Sequence, residues 1–297
     1  MVTVQEAQVM RQIAPSVHLK TATLPSGLRL PYVEQGDSSG LPVVLLHGFS
    51  DSWWSWAPVL PHLPASIHAY ALSQRGHGDA DRPATGYRFE DFAADLAAFM
   101  DTLGLERAVI GGHSMGSYVA QRFAMDHPER VLGLVLVGSA TTWQGNPAIT
   151  EIWESGISTL TDPIDPRFVG EFQISPRLPQ TFIDIAVQES LKAPARVWRE
   201  AWQAIMTTDF SADLGQITAP TLIVWGDQDS LCPRAEQDAL TAAIADARLV
   251  VYPGAGHILH WEEPEHFAGD LLTFVDQLNF QIPTTRPEEG INDGDRL

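Results

Sequence analysis

The strongest constraint on this chain is its alternation of short apolar runs with longer stretches whose apolar residues recur every three or four positions. The runs at 28–33, 43–46, 67–72, 108–110, 132–137, 221–225 and 249–252 are too short for helices, and most are unbroken rather than alternating. They read as strands buried on both faces, the condition of a parallel sheet covered by helices. Between them, Phe89, Phe92, Leu96, Phe99 and Leu103 form a helical stripe that Gly104 stops, and Phe267, Leu271, Phe274 and Leu278 form another. Strands and helices in this order imply right-handed crossovers and a three-layer α/β sandwich.

The alternation breaks once. Between the runs at 132–137 and 221–225 lie about eighty residues without a convincing strand, punctuated by Pro147, Pro163, Pro166, Pro176, Pro179 and Pro194. Helix-like pieces at 181–191 and 195–207 fill much of this stretch. A plain crossover needs one helix, so the segment reads as an inserted helical cap. The expected division is a core made of 1–140 and 213–280, a cap at 141–212, and a polar tail at 281–297.

Charge narrows the partners. With 18 Lys+Arg against 37 Asp+Glu in 297 residues, the net charge of −19 repels phosphate backbones and anionic membrane surfaces. Neither nucleic acid nor membrane is an expected partner. The single cysteine, Cys232, cannot close an intramolecular disulfide, and the first twenty residues carry Glu6, Arg11 and Lys20 without an apolar signal core. A cytoplasmic protein is expected. No His/Cys/Asp/Glu group has metal-ligand spacing, so neither metal nor cofactor is expected. The oligomeric state has no sequence signature.

One run carries chemistry. The strand at 108–110 leads into Gly111-Gly112-His113-Ser114-Met115-Gly116 and then a helix at 117–125. A serine on a sharp strand-to-helix turn needs small residues two positions to either side, and Gly112 and Gly116 supply them. Such a turn lifts the hydroxyl above the sheet edge, at a helix N-terminus that favours negative charge. A serine hydroxyl is a poor nucleophile until a base takes its proton. An acid can come from Gly226-Asp227-Gln228-Asp229-Ser230 and a base from Gly254-Ala255-Gly256-His257. Both segments follow strands, at the carboxyl edge where open parallel sheets hold ligands. The order Ser, Asp, His fits a serine hydrolase built on such a sheet.

Over residues 25–280 the chain resembles α/β-hydrolase-fold enzymes of the serine esterase-like branch. The matching pieces are Leu46-His47-Gly48-Phe49, Gln74-Arg75-Gly76-His77-Gly78, the serine turn, Trp225-Gly226-Asp227-Gln228-Asp229 and Gly256-His257. The resemblance implies a mostly parallel sheet of the eight-stranded type with a helical cap, and a catalytic set of Ser114, Asp229 and His257. It also implies a turn-forming role for Asp227 and an oxyanion hole made by the backbone N–H groups of Phe49 and Met115. Ser73 departs from the pattern, where an acidic residue is common. The run from Phe49 to Trp56 resembles the matching segment of epoxide hydrolases, but those enzymes use a carboxylate nucleophile, and Ser114 would trap an alkyl group as a stable ether. Gly138 to Thr142 offers no carboxylate after the preceding strand, which leaves Asp229.

Of the other histidines, His47 and His113 are expected to pack near the site, His77 and His127 to be structural, and His260 to be the rival of His257 as base. The cap is rich in aromatic residues. Most would fill its own core, while Trp143, Trp198 and Trp202 would join Trp53, Trp54 and Ile258 around an apolar pocket over Ser114. The expected function is cofactor-free hydrolysis of carboxylic esters of hydrophobic small molecules through an acyl-enzyme. The same triad can serve a lactone or carbon–carbon bond hydrolase, and the same fold a ligand-binding receptor.

Overall fold

The computed structural model describes residues 18–172 and 175–281, so the tail expected at 281–297 lies, past its first residue, outside them. Eight strands form one sheet: β1 (His18–Thr23), β2 (Arg29–Gln35), β3 (Leu41–Leu46), β4 (Ile67–Leu72), β5 (Ala108–His113), β6 (Val131–Val137), β7 (Thr221–Gly226) and β8 (Ala247–Tyr252). Their order is β1-β2-β4-β3-β5-β6-β7-β8. The pairs β1–β2 and β2–β4 are antiparallel and all others are parallel. Every residue of β4, β5 and β7 is buried, as their unbroken apolar runs require.

Two strands differ from expectation, each for a physical reason. The edge strand β1 has no apolar run: Leu19 is 49% exposed and Lys20 pairs in the open with Glu34 of β2. Its composition blunts an edge that would otherwise invite pairing. Strand β5 continues past residue 110 through Gly111 and Gly112, because a Cβ at Gly111 would stand 2.9 Å from Leu45 Cδ2 on the neighbouring strand. The glycines make room there and do not end the strand.

The helices flanking the sheet are α1 (Phe89–Thr102) and α2 (Met115–Asp126) in the first half. The stripe of α1 is buried at Phe89, Phe92, Leu96 and Phe99, its start is held by the Asp91 carboxylate accepting the Arg88 N–H, and Gly104 at φ +69° ends it. Four helices follow β6: α3 (Pro147–Ser155), α4 (Pro166–Phe172), α5 (Gln180–Leu191) and α6 (Ala195–Thr207). They form the inserted cap region. The chain enters and leaves this region through a neck, where Thr142 bridges Asp209 and the Phe210 N–H donates to the Thr141 carbonyl. Helices α7 (Arg234–Ala243), α8 (Leu259–Glu262) and α9 (Pro264–Gln281) complete the chain. Among the described residues no helix is long and apolar enough to cross a membrane.

Candidate active site

Ser114 stands between β5 and α2 at φ 50°, ψ −117°, a left-handed backbone that side chains other than glycine rarely adopt. The turn is tight enough to exclude side chains around it. A Cβ at Gly112 would lie 2.2 Å from the Gly116 carbonyl oxygen, and one at Gly116 would lie 2.4 Å from that of Leu46. The Ser114 N–H donates to the Val137 carbonyl at 2.9 Å, and the Ser117 hydroxyl donates to the Ser114 carbonyl at 2.6 Å. Backbone packing therefore holds the strained residue in place.

The acid loop follows β7. A Cβ at Gly226 would fall 2.3 Å from the Ala255 carbonyl oxygen, so the missing side chain lets this loop lie against the one that carries His257. Asp227 accepts the Gly254 N–H at 2.7 Å and the Gln228 side-chain amide at 2.9 Å. Asp229 is buried. Its Oδ1 accepts the N–H groups of Leu231 and Cys232, and its Oδ2 accepts His257 Nδ1–H at 2.8 Å. Burial alone would raise the Asp229 pKa, but the charge and hydrogen bond of His257 and the two amides outweigh it and hold the carboxyl below its ordinary value.

Gly138, at φ +54° after β6, leaves room for the His257 ring: a Cβ there would be 3.1 Å from Cε1 and Nδ1. His257 Nε2 is buried without a partner, and His257 and Ser114 line the same cavity. No Ser114–His257 hydrogen bond is formed in this structure. His260 is elsewhere: it packs on Trp56 at 4.7 Å and bonds Ser55 Oγ through Nε2 at 3.1 Å, and burial pushes its pKa well down. The Asp229 partner is His257.

The loop after β3 is fixed by its own histidine. His47 Nδ1–H donates to the Gly48 carbonyl at 2.8 Å, and Nε2 accepts the Gln74 N–H at 3.0 Å. The Gln74 side chain donates back to the His47 carbonyl at 2.9 Å, and burial keeps His47 neutral. Among the described residues the Phe49 and Met115 amides donate to no protein acceptor. The close approach of Gly116 to Leu46 and His47 brings their two loops together. Ser73 takes up a structural bond, its hydroxyl accepting the Trp53 N–H at 3.2 Å. His113 donates from Nε2 to the His257 carbonyl at 3.0 Å, and burial followed by the neighbouring His257 lowers its pKa to about 3.

A cavity of about 590 Å³, its open mouth included, lies between these loops and the cap. Ser50, Asp51, His113, Ser114 and His257 form its polar part. Trp143, Ile149, Ile152, Trp202 and Ile205 line it from the insertion, and Phe49, Leu231 and Ile258 from the sheet edge. The expected lining residues Trp143, Trp202 and Ile258 are thus present, whereas Trp53, Trp54 and Trp198 stand outside the lining. Trp54 stacks on Phe182 at 6.0 Å with Trp53 edge-on to it, and Trp198 lies edge-on to Phe49 at 5.0 Å. These three fill the joint between cap and core. Ile149 and Ile152 escaped the sequence reading because α3 was not recognised, although Asn146 before Pro147 marks its start and caps the Ala148 amide at 3.0 Å. Asp51 and Ser50 were overlooked in a run read for its aromatics.

Asp229, Cys232 and His257 bring a carboxylate, a thiol and an imidazole within 4.8 Å of one another. The first and last bond each other, Cys232 Sγ donates to the Gly138 carbonyl, and burial pushes the thiol pKa well up. This trio is a hydrogen-bonded group whose thiol is held protonated.

A sequence profile of the alpha/beta hydrolase family matches residues 43–270. The chain is 32% identical to a non-heme chloroperoxidase of Streptomyces lividans over 86% of this chain and 99% of that one. It is 30% identical to a 2-hydroxy-6-oxononadienedioate/2-hydroxy-6-oxononatrienedioate hydrolase of Pseudomonas putida over 84% of this chain and 92% of the relative. Among solved structures, an esterase from Thermogutta terrifontis superposes with a TM-score of 0.74 at 28% identity, covering 88% of this chain and 99% of that one.

Proposed function

The chain belongs to the alpha/beta hydrolase family, and from that membership we propose that it hydrolyses carboxylic esters of small hydrophobic molecules through an acyl-enzyme on Ser114, without a cofactor. The observation that carries the reading is the 2.8 Å bond between Asp229 and His257 beside a cavity that Ser114 lines from a strained turn. In this reading the substrate carbonyl oxygen enters between the Phe49 and Met115 amides, and the ester carbon meets Ser114 Oγ. His257 Nε2 takes the hydroxyl proton, in a hydrogen bond that tightens as substrate enters. Asp229 holds the Nδ1–H tautomer and stabilises the imidazolium.

In this reading the Phe49 and Met115 amides stabilise the tetrahedral oxyanion, as donors that the folded loops hold in place without reorganisation during the reaction. Collapse breaks the C–O bond, and His257 gives its proton to the departing alcohol. His257 then deprotonates a water that attacks the acyl carbon, and the same amides hold the second oxyanion. The helical insertion at 141–212 acts as the cap over this chemistry, its tryptophan and isoleucine side chains taking the apolar part of the substrate.

The test is a panel of esters and lactones of varied acyl and alcohol size run on wild type and Ser114→Ala. Loss of about 10⁴-fold or more in kcat on every substrate is expected for the variant. Retained turnover rejects the assignment, and tight binding without turnover by wild type favours a receptor. A second reading, favoured by the chloroperoxidase relative, lets hydrogen peroxide take the acyl group in place of water, giving a peracid and restoring the Ser114 hydroxyl. Peracid formed in proportion to added peroxide, at the expense of free acid, would support it. The dienedioate hydrolase relative is named for a dianion, and among the described residues lining the cavity there is no Lys or Arg to receive one, which disfavours that substrate class.

A further inference from the structure

We infer that Arg177, a residue of the insertion, positions His257: it clamps the Glu262 carboxylate, and Glu262 holds the backbone that carries the imidazole. The inference rests on the ester-hydrolase reading of the site and adds a route by which the cap governs the chemical step.

The approach to His257 has little packing to brace it. Around Ser114 a Cβ at Gly112 or Gly116 would collide with backbone, whereas at Gly254 or Gly256 it would meet nothing within 4 Å. Glycines in open space leave the chain free to move unless hydrogen bonds hold it. The acid loop supplies two of these, Asp227 accepting the Gly254 N–H at 2.7 Å and the Gln228 N–H donating to the Ala255 carbonyl at 2.9 Å. From β5, His113 donates to the His257 carbonyl at 3.0 Å. The Gly256 N–H, next to the base, donates to Glu262 Oε2 at 3.3 Å.

Glu262 ends α8, and its side chain is 6% exposed. The insertion supplies its other partners. Ser175 Oγ donates to Oε1 at 2.8 Å, and Arg177 Nη1 donates to Oε2 at 3.1 Å. The same guanidinium donates from Nη2 to Glu263 at 2.7 Å, and from Nη1 to the Gly254 carbonyl at 3.4 Å. One cation thus touches both ends of the stretch 254–263 that contains His257. Charge-assisted bonds of this kind are stronger than neutral ones. Without the guanidinium, a nearly buried carboxylate loses its countercharge and turns toward water, and its hold on Gly256 goes with it.

None of Ser175, Arg177 and Glu262 is among the described residues lining the cavity. Their influence therefore falls on His257 and not on substrate contact. His257 Nε2 has no partner in this structure, so the imidazole must close on the Ser114 hydroxyl during reaction. A loosened loop spends less time in that geometry. His257 moves a proton in acylation and again in deacylation, so both steps slow together, kcat falls and KM stays.

The experiment compares steady-state kinetics on p-nitrophenyl acetate for Arg177→Ala, Arg177→Lys, Glu262→Gln and the double variant of Arg177→Ala with Glu262→Gln. Arg196→Ala is the control, because Arg196 also ties the insertion to the core, at the Ala84 carbonyl at 3.0 Å, and touches neither triad loop. Arg177→Ala is expected to lower kcat by about five- to tenfold with KM within about twofold, and Arg177→Lys to recover part of the loss. The double variant should be no slower than the slower single one, since the two residues act through one bond. Arg196→Ala should stay within about twofold of wild type. Arg177 is 40% exposed, so its variants decide the matter if Glu262→Gln does not fold.

The second measurement needs no turnover. Amide hydrogen exchange read by mass spectrometry is expected to quicken about tenfold over 254–257 in Arg177→Ala and to be unchanged over β5 and α2. Exchange that quickens everywhere, or not at all over 254–257, overturns the inference. So does a loss in KM with kcat kept, additive losses in the double variant, or an equal loss in Arg196→Ala. Should wild type turn over no ester, the hydrolase reading fails, and the exchange measurement still decides whether Arg177 holds the loop.

Discussion

The loops at the carboxyl edge of the sheet and the helices of the cap face each other across one cavity, but they are positioned by different means. At the sheet edge the backbone does the positioning. Cβ atoms at Gly112, Gly116 and Gly226 would fall within 2.5 Å of carbonyl oxygens, and Ser114 and Gly138 take positive φ. In the cap the side chains do it. Trp202 Nε1 donates to the Ile149 carbonyl at 3.2 Å and its ring meets Phe49 edge-on at 4.8 Å. Beyond the neck, polar ties join the cap to the core, Glu189 to Ser52 at 2.7 Å, Lys192 to Asp79 at 2.8 Å and Arg177 to Glu262 at 3.1 Å. Proton transfer and oxyanion binding tolerate little misplacement, whereas an apolar pocket can be reshaped by one side chain. Outside the Arg177 clamp, the two regions can therefore vary independently.

Asp229→Asn would break this division most severely. It removes the charge that holds the His257 tautomer while leaving the loop packing, so kcat is expected to fall by about 10⁴-fold with KM little changed. A loss confined to KM would show that the loop binds substrate and does not drive proton transfer.

Acid should strike the core before the cap. Burial lowers the pKa of His77 to about 4 and that of His113 to about 3, and moves His47 and His260 in the same direction. The unfolded chain binds protons at these sites from about pH 6.5 downward while the folded chain does not, so stability falls as pH drops below that value. His77 and His113 alone account for about 2 kcal/mol each by pH 5. All four belong to the sheet-edge loops and their neighbours, none to the insertion. Urea midpoints from pH 7.5 to pH 5 measure the effect, and a flat profile would mean that these rings are protonated in the folded state.

Gln74→Leu sharpens the comparison at the oxyanion loop. It removes the side-chain bond to the His47 carbonyl, and a loss of about 10- to 100-fold in kcat with unchanged KM is expected. The smallest effects belong to the cap. Trp202→Ala should raise KM for short esters by about three- to tenfold and improve turnover of bulkier ones, because the lost ring lines the cavity. Trp198→Phe should change KM by less than about twofold, since Trp198 packs against Phe49 and Phe168 and is not among the described lining residues. Equal effects from the two tryptophans would erase the distinction between lining and packing.

The same contrast explains what could be read from the amino-acid sequence. Buried strands and the turns that follow them leave local signatures, an apolar run and then glycines at fixed offsets, because the constraint is on the backbone. Six of the parallel-sheet positions and the placement of Ser114, Asp229 and His257 at one edge were legible for that reason. Strand β1 was not, because an edge strand that is half exposed has no apolar run. In the cap, Trp198 and Trp202 lie one turn apart on α6, yet of the two only Trp202 is among the described residues lining the cavity. Which face of a helix meets a ligand depends on contacts with residues far away in the chain, and Phe49 is the one that screens Trp198. Gln74 was recognised as part of a motif, but its bonds to His47 exist only once two strand ends lie side by side.

The central claim is that Ser114 carries the acyl group and that His257 makes it do so. Rapid mixing of the protein with p-nitrophenyl acetate, acid quench and peptide mass analysis tests it directly. One acetyl group per chain is expected on the peptide containing Ser114, formed in a burst with nitrophenol release, and none on the same timescale in His257→Ala. Steady turnover with the acetyl group on another residue, or with equal acetylation of the His257 variant, would contradict it.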